Sequence, residues 1–401
     1  MKRIVGFLLI ILVFSPISIK SQDNSLLKEA DDLAQNIMII DTHIDVPERL
    51  NRNWEDISNR TEHGNFDYVR AKQGGLNVPF MAIYVSAEYE NNGAKAVADS
   101  LINLMENIVN NHPSEFAIPY SVKDVLKIFK SGRMAFALGM ENGAAIEGDL
   151  NNVKYFYDRG IRYITLAHSK ANHICDSSYD PDHKWNGLSP FGEKLIGEMN
   201  KYGIMIDISH VSDSAFYQVL RISKTPIIAS HSSCRFFTPG WERNMSDEMI
   251  KALADKGGVI QINFGSDFLK QSVLEKHNRD RQVINEYLEA HNLKRGDKET
   301  RDFIQNYRKE NPDEFADVTD VVDHIDHVVQ IAGIDHVGIG SDFDGVGDTL
   351  PTGLKDVSGY PNIIYQLLKR GYSKSDIEKI CSGNILRVWS DVERISSELR
   401  N

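Results

Sequence analysis

Residues Ile37–Leu50 read IMIIDTHIDVPERL, four apolar residues running directly into Asp41-Thr42-His43-Ile44-Asp45. A short apolar run without polar alternation is what a strand buried on both faces presents, as in parallel sheets covered by helices. Counting Met38–Ile40 as the first, seven more runs of this kind follow: Val78–Val85, Met134–Gly139, Tyr163–Ala167, Ile204–Ile208, Pro226–Ala229, Gly258–Phe264 and His336–Gly340. Amphipathic stretches such as AKAVADSLINLMENIVNN and DVVDHIDHVVQIAG lie between them. Eight strands alternating with helices predict an α/β fold, a (β/α)8 TIM-like barrel, with a doubly wound open sheet as the architectural rival.

One segment departs from the alternation. Residues 271–315 are dense in charge, which predicts a helical insertion after strand 7, either a solvated excursion or a lid or subunit contact. The 401 residues carry a formal net charge of -12 and are 41% apolar. That acidity argues against a nucleic-acid partner. Residues 1–21 have Lys2 and Arg3 ahead of the apolar Ile4–Phe14 and end in small, polar residues, the pattern of a cleaved signal peptide. The apolar run is short for a spanning helix, which needs about 20 residues. The C-terminal SDVERISSELRN lacks the apolar tail of a glycolipid anchor signal. An exported protein, periplasmic or secreted, with no stable membrane anchor is therefore expected. Cys175, Cys234 and Cys381 match no zinc-finger spacing and allow at most one disulfide.

The runs end in chemistry. His43 and Asp45 follow the first, Glu141 the third, His168 the fourth, His210 the fifth, His231 the sixth and Asp342 the eighth. C-terminal strand ends of a barrel converge on one face, so these residues should meet in one pocket. A single histidine at a strand end is more often plain structure than ligand; the joint pattern is what points to a site. Imidazole with carboxylate and no thiolate suits Zn2+ or another borderline divalent ion. Five or six ligands exceed one tetrahedral ion, so two ions sharing a carboxylate and a water are the economical reading. His43 and Asp45, two apart on extended backbone, face the same side. Asp41 is expected to orient or satisfy the backbone. His112, His277 and His291 read as surface residues, His324 and His327 as solvated or at the core edge.

These residues resemble the renal or membrane dipeptidase family of binuclear zinc enzymes. The likeness is carried by DTHIDVP, GIRYITLAHSKAN, GIMIDISHVSDSAFYQVLRISKTPIIASHSS, ERNMSDEMIKALADKGGVIQINF, HVGIGSDFDG and GNILRVW. It implies one metallo-dipeptidase barrel domain over residues 22–401. It implies two Zn2+, one held by His43, Asp45 and Glu141 and the other by Glu141, His210 and His231, with Glu141 bridging. His168 would stabilise the tetrahedral intermediate, Arg243 bind the substrate carboxylate with Arg235 as alternative, and Asp342 shuttle the proton. The expected substrates are dipeptides with a free C-terminal carboxylate, L,D-dipeptides included, attacked by a metal-bridging hydroxide; a homodimer is also implied. The alternative is another binuclear amidohydrolase acting on N-acyl amino acids or cyclic amides.

Overall fold

A computed structural model describes the backbone of residues 16–401 and the side chains from residue 23 onward. The side chains of the expected signal peptide, residues 1–21, lie outside the described residues. No helix among the described residues is long and apolar enough to cross a membrane.

Eight strands form one parallel sheet in chain order: β1 (Ile39–Ile44), β2 (Leu76–Tyr84), β3 (Ala137–Glu141), β4 (Ile161–Thr165), β5 (Met205–Asp207), β6 (Ile227–Ser232), β7 (Val259–Ile262) and β8 (Val337–Ile339). The sheet curls until its edges meet. Beyond β8, the Asp342 N–H donates to the His43 carbonyl at 3.0 Å and the Asp45 N–H to the Phe343 carbonyl at 2.8 Å. The (β/α)8 expectation is thus met in a nearly closed barrel, and each predicted run overlaps a strand of it.

Alternation along the strands sorts their residues into two cores. Ile40, Val78, Phe80, Ala137, Tyr163, Met205, Ile228 and Val259 belong to one cluster, plugged by Trp389 of the last helix, Asn384–Arg400. Their neighbours Ile39, Met81, Leu138, Ile164, Ile206, Ile227 and Ile260 belong to the other, shared with the surrounding helices. A one-residue slip would exchange the two sets, so packing fixes the register and with it the facing of the strand ends.

The third run differs from expectation. Met134–Ala135 leaves the barrel to pair with Phe116–Ala117, and only Ala137–Glu141 joins the main sheet. Phe136 is the joint: its N–H donates to the Ala117 carbonyl at 2.9 Å, and its ring stacks on Phe116 at 4.4 Å. The insertion after β7 is present as the helices Gln271–His291 and Lys298–Glu310.

His324, expected to be solvated or at the core edge, is fully buried. Its Nδ1 accepts the Cys234 N–H at 3.0 Å, and Nε2–H donates to the Leu269 carbonyl at 3.1 Å. Burial lowers its pKa to about 3. The native ring therefore stays neutral while the unfolded chain takes up a proton below about pH 6.5. Its contribution is whole above that pH and is lost as pH falls toward 3, at about 1.4 kcal/mol per unit. His324→Gln should lose about 2 kcal/mol less stability than wild type between pH 7 and 5, measured by urea unfolding. Equal losses would contradict this reading.

Candidate metal centre

The top of the barrel gathers what the strand ends carry. His43 lies inside β1 with Asp45 just beyond, Glu141 ends β3, and His231 lies inside β6. His168, His210 and Asp342 follow β4, β5 and β8 on the connecting loops. All seven come together. His43 Nε2 stands 3.5 Å from Asp45 Oδ2 and 3.4 Å from Glu141 Oε2. The other oxygen of Glu141, Oε1, lies 3.2 Å from His210 Nε2, 3.4 Å from His231 Nε2 and 3.5 Å from His168 Nε2. Asp342 joins His43 and Asp45 in a third group whose donor atoms lie within 4.8 Å of one another.

The backbone bends to achieve this. His210 and Asp342 adopt left-handed φ angles of 69° and 63°, a conformation costing such residues about 1–3 kcal/mol. Gly345 makes room beside them. A Cβ there would stand 2.2 Å from Asp342 Oδ1 and 2.3 Å from Asp45 Oδ2.

Hydrogen bookkeeping assigns the tautomers. The Tyr163 hydroxyl donates to the Thr42 carbonyl at 3.0 Å, so at 2.8 Å it accepts from His43 Nδ1–H. The Ser230 hydroxyl donates to Asp207 Oδ2 at 2.6 Å, so at 2.7 Å it accepts from His231 Nδ1–H. Arg243 Nη2 donates to His210 Nε2 at 3.1 Å. The three rings thus turn Nε2 inward, those of His231 and of His210, which accepts from Arg243, only 2.7 Å apart. His43 Nε2 is buried and has no hydrogen-bond partner among the described residues. Ligands about 2.0–2.1 Å from a tetrahedral ion lie about 3.3 Å from one another. The separations to Glu141 and Asp45 match that value, and the residues present fit a metal.

The electrostatics agree. Burial, followed by the charges of Arg243 and His168, holds the His210 ring well below the usual imidazole range; burial and His43 do so for His231. Against burial, Tyr163 and the Glu141 and Asp45 carboxylates raise His43 well above it, so positive charge is favoured at Nε2. Glu141, despite burial, is held well below the carboxylate range by His43 and His168. Burial and then Asp45 push Asp342 up to about 7.

His168 differs from its neighbours. Its side chain is 22% exposed, against 0%, 6% and 1% for His43, His210 and His231. It faces a cavity of about 870 Å³ that is also lined by Asp45, Glu141, His210 and Asp342. Arg243 is brought to the cluster but sits behind it, 2% exposed, with Nη1 on Ser232 Oγ at 2.8 Å and Nη2 on the His231 carbonyl at 2.7 Å. The alternative, Arg235, is occupied elsewhere by Asp213 at 2.8 and 2.6 Å. Asp41 accepts the N–H groups of His43 and Ser341 at 3.1 and 2.9 Å and the Tyr360 hydroxyl at 2.5 Å, the backbone role expected of it.

Four supporting residues were not foreseen: Tyr163, Asp207, Ser230 and Asn263. Asn263 follows the one strand after β2 that brings no ligand, and its Nδ2 donates to Asp342 Oδ2 at 2.7 Å. The serine beside His231 and the aspartate three before His210 were the available signals. Tyr163→Phe removes the acceptor that fixes the His43 tautomer and should weaken divalent-ion binding about 10–100-fold, as loss of such partners does. Competition with a chelator reads this directly; unchanged affinity would refute the assignment.

A parallel barrel carrying a buried imidazole–carboxylate cluster at its C-terminal strand ends defines a metal-dependent hydrolase. The profile of the membrane dipeptidases, peptidase family M19, matches residues 27–401, and the chain belongs to that family. It is 32% identical over 342 residues to dipeptidase tcpJ of Claviceps purpurea, covering 83% of this chain and 71% of that one. The probable dipeptidase PvdM of Pseudomonas aeruginosa superimposes with a TM-score of 0.78 at 27% identity, covering 93% of this chain and 99% of that one. A metallopeptidase of Rhodobacter sphaeroides, liganded with a phosphinate mimic of the dipeptide L-Ala-D-Ala, gives 0.73 at 25% identity, covering 89% and 99%. The protein is a metal-dependent dipeptidase.

Proposed function

We propose an exported dipeptidase that binds two Zn2+, bridged by Glu141, and hydrolyses dipeptides with a free C-terminal carboxylate, L,D-dipeptides included. The observation that carries this is the division of Glu141, which turns one oxygen to His43 and the other to His210 and His231. His43 and Asp45 would hold one ion, His210 and His231 the other. When bound, the ions supply a water acidic enough to attack near neutral pH and a Lewis acid for the carbonyl oxygen. His168, at the cavity wall, is positioned to donate to the developing oxyanion. Asp342, oriented by Asn263, takes up the attacking water's proton and gives it to the leaving amine.

Charge polarity supports the substrate class. Asp45, Glu48 and Asp342 line the cavity on the His43 side of Glu141 and the Arg243 guanidinium stands behind the His210 side, a polarity that orients an ammonium toward the one and a carboxylate toward the other. The L-Ala-D-Ala mimic bound by the Rhodobacter relative supports acceptance of a D-residue at the C-terminal position. The charged and then apolar start of residues 1–21 supports export, to the periplasm or beyond. The test is metal stoichiometry together with turnover of an L,L-dipeptide, an L,D-dipeptide and an N-acyl amino acid. About two zinc ions per chain and hydrolysis of the dipeptides are expected. A single ion with preference for the N-acyl substrate would overturn the proposal.

A further inference from the structure

The cavity above the metal centre is larger than the cluster beneath it needs. Leu274, Asn278 and Arg281 of the inserted helix Gln271–His291 form part of its wall, as do Tyr179, Trp241 and Phe268. These aromatic residues stand on the His210 side: the Tyr179 ring lies 5.8 Å from His210 and 6.3 Å from Trp241, and Arg243 lies 5.2 Å from Phe268. A second cavity of about 270 Å³ opens within the insertion, and Asp267, Arg281 and Thr349 line both. Arg281 thus stands at the junction.

Arg281 differs from the charged groups around it. Asp267 is paired with His277, Asp280 with Lys276 and Tyr307, and Asp313 with Arg308. Arg308 and Arg295 are likewise engaged, the latter with Asn285 at 3.1 Å. Asp348, exposed in the second cavity, reaches none of them. Among the described residues Arg281 makes no ion pair and no side-chain hydrogen bond, although it borders both spaces.

We infer that Arg281 forms a subsite for an anionic side chain on the C-terminal residue of the dipeptide, resting on the dipeptidase reading above. With the substrate's terminal carboxylate turned to the Arg243 side, the side chain of the same residue runs along Tyr179, Trp241 and Phe268 toward the insertion. A carboxylate at its end meets the guanidinium, whose planar fork binds carboxylates in a bidentate manner. The insertion is then a selector for acidic dipeptides rather than a solvated excursion.

The test compares kcat/KM of the zinc-loaded enzyme for Ala-Glu and Ala-Gln, with the C-terminal residue in whichever configuration is accepted, and for Ala-Ala as reference. Wild type should favour Ala-Glu over Ala-Gln by about five- to tenfold, mostly through KM, as a charge pair at a partly covered rim allows. Arg281→Gln should bring that ratio close to one, Arg281→Lys should restore part of it, and Arg281→Glu should favour Ala-Lys instead. A ratio of one in wild type overturns the subsite, as does an equal loss on all three substrates in Arg281→Gln, which would assign Arg281 to the terminal carboxylate. Hydrolysis of Ala-Ala without acidic preference leaves the dipeptidase reading standing. Failure on every dipeptide removes both.

Discussion

Glu141→Gln is expected to strip the protein of metal and to lower dipeptide turnover by at least about a thousandfold, equivalent to roughly 4 kcal/mol. The substitution keeps size and shape, so packing around β3 should persist. It removes a negative charge that faces His43 through one oxygen and His210, His231 and His168 through the other. Among the described residues no other carboxylate reaches both halves of the cluster, since Asp45 and Asp342 both group with His43. Metal content by mass spectrometry and dipeptide turnover are the measurements, with circular dichroism to verify the fold. Full metal loading with more than a tenth of wild-type turnover would refute the bridging role.

Asp342→Asn should show the opposite division: metal retained, kcat down by about 10²–10⁴, the range of a lost general acid–base group. The backbone favours this variant, because asparagine tolerates left-handed φ better than most residues and Asp342 sits at 63°. The amide oxygen can still accept from Asn263, so the side chain keeps its place while losing the ability to carry a proton. KM should move much less than kcat, since the group acts in the transition state. Metal loss in this variant would make Asp342 a ligand alongside His43 and Asp45, a role its position in that group permits.

The legible part of the site was local. An apolar run and the polar residue at its end are adjacent in sequence, so His43, Asp45, Glu141, His168, His210, His231 and Asp342 could all be read from the chain. The period of two does not separate Asp45 from Asp41, which also stands two from His43; it is the hydrogen bonds to Ser341 and Tyr360 that set Asp41 apart. The illegible part was relational. Tyr163 reads as one more buried aromatic residue until the fold brings it, 120 positions away, onto His43. Asn263 carries no charge or ligand signature, and its partner lies 79 positions on. His324 sits on an amphipathic helix, and its place on the buried face shows only through its bonds to Leu269 and Cys234 on other elements. Arg243 and Arg235 could not be ordered by spacing, because the difference lies in Asp213, which occupies only the latter.

The two left-handed residues have a consequence for the protein under selection. His210 and Asp342 hold conformations that glycine adopts freely, and both carry polar side chains out of water. Glycine at either position would relax the backbone and remove a desolvated group, while taking away a nitrogen or a carboxylate of the reactive cluster. Variants chosen only for heat resistance will therefore tend to accumulate here at the expense of catalysis. Ancestral or consensus stabilisation of this barrel has to hold these two positions fixed and look for its gains in the outer helices.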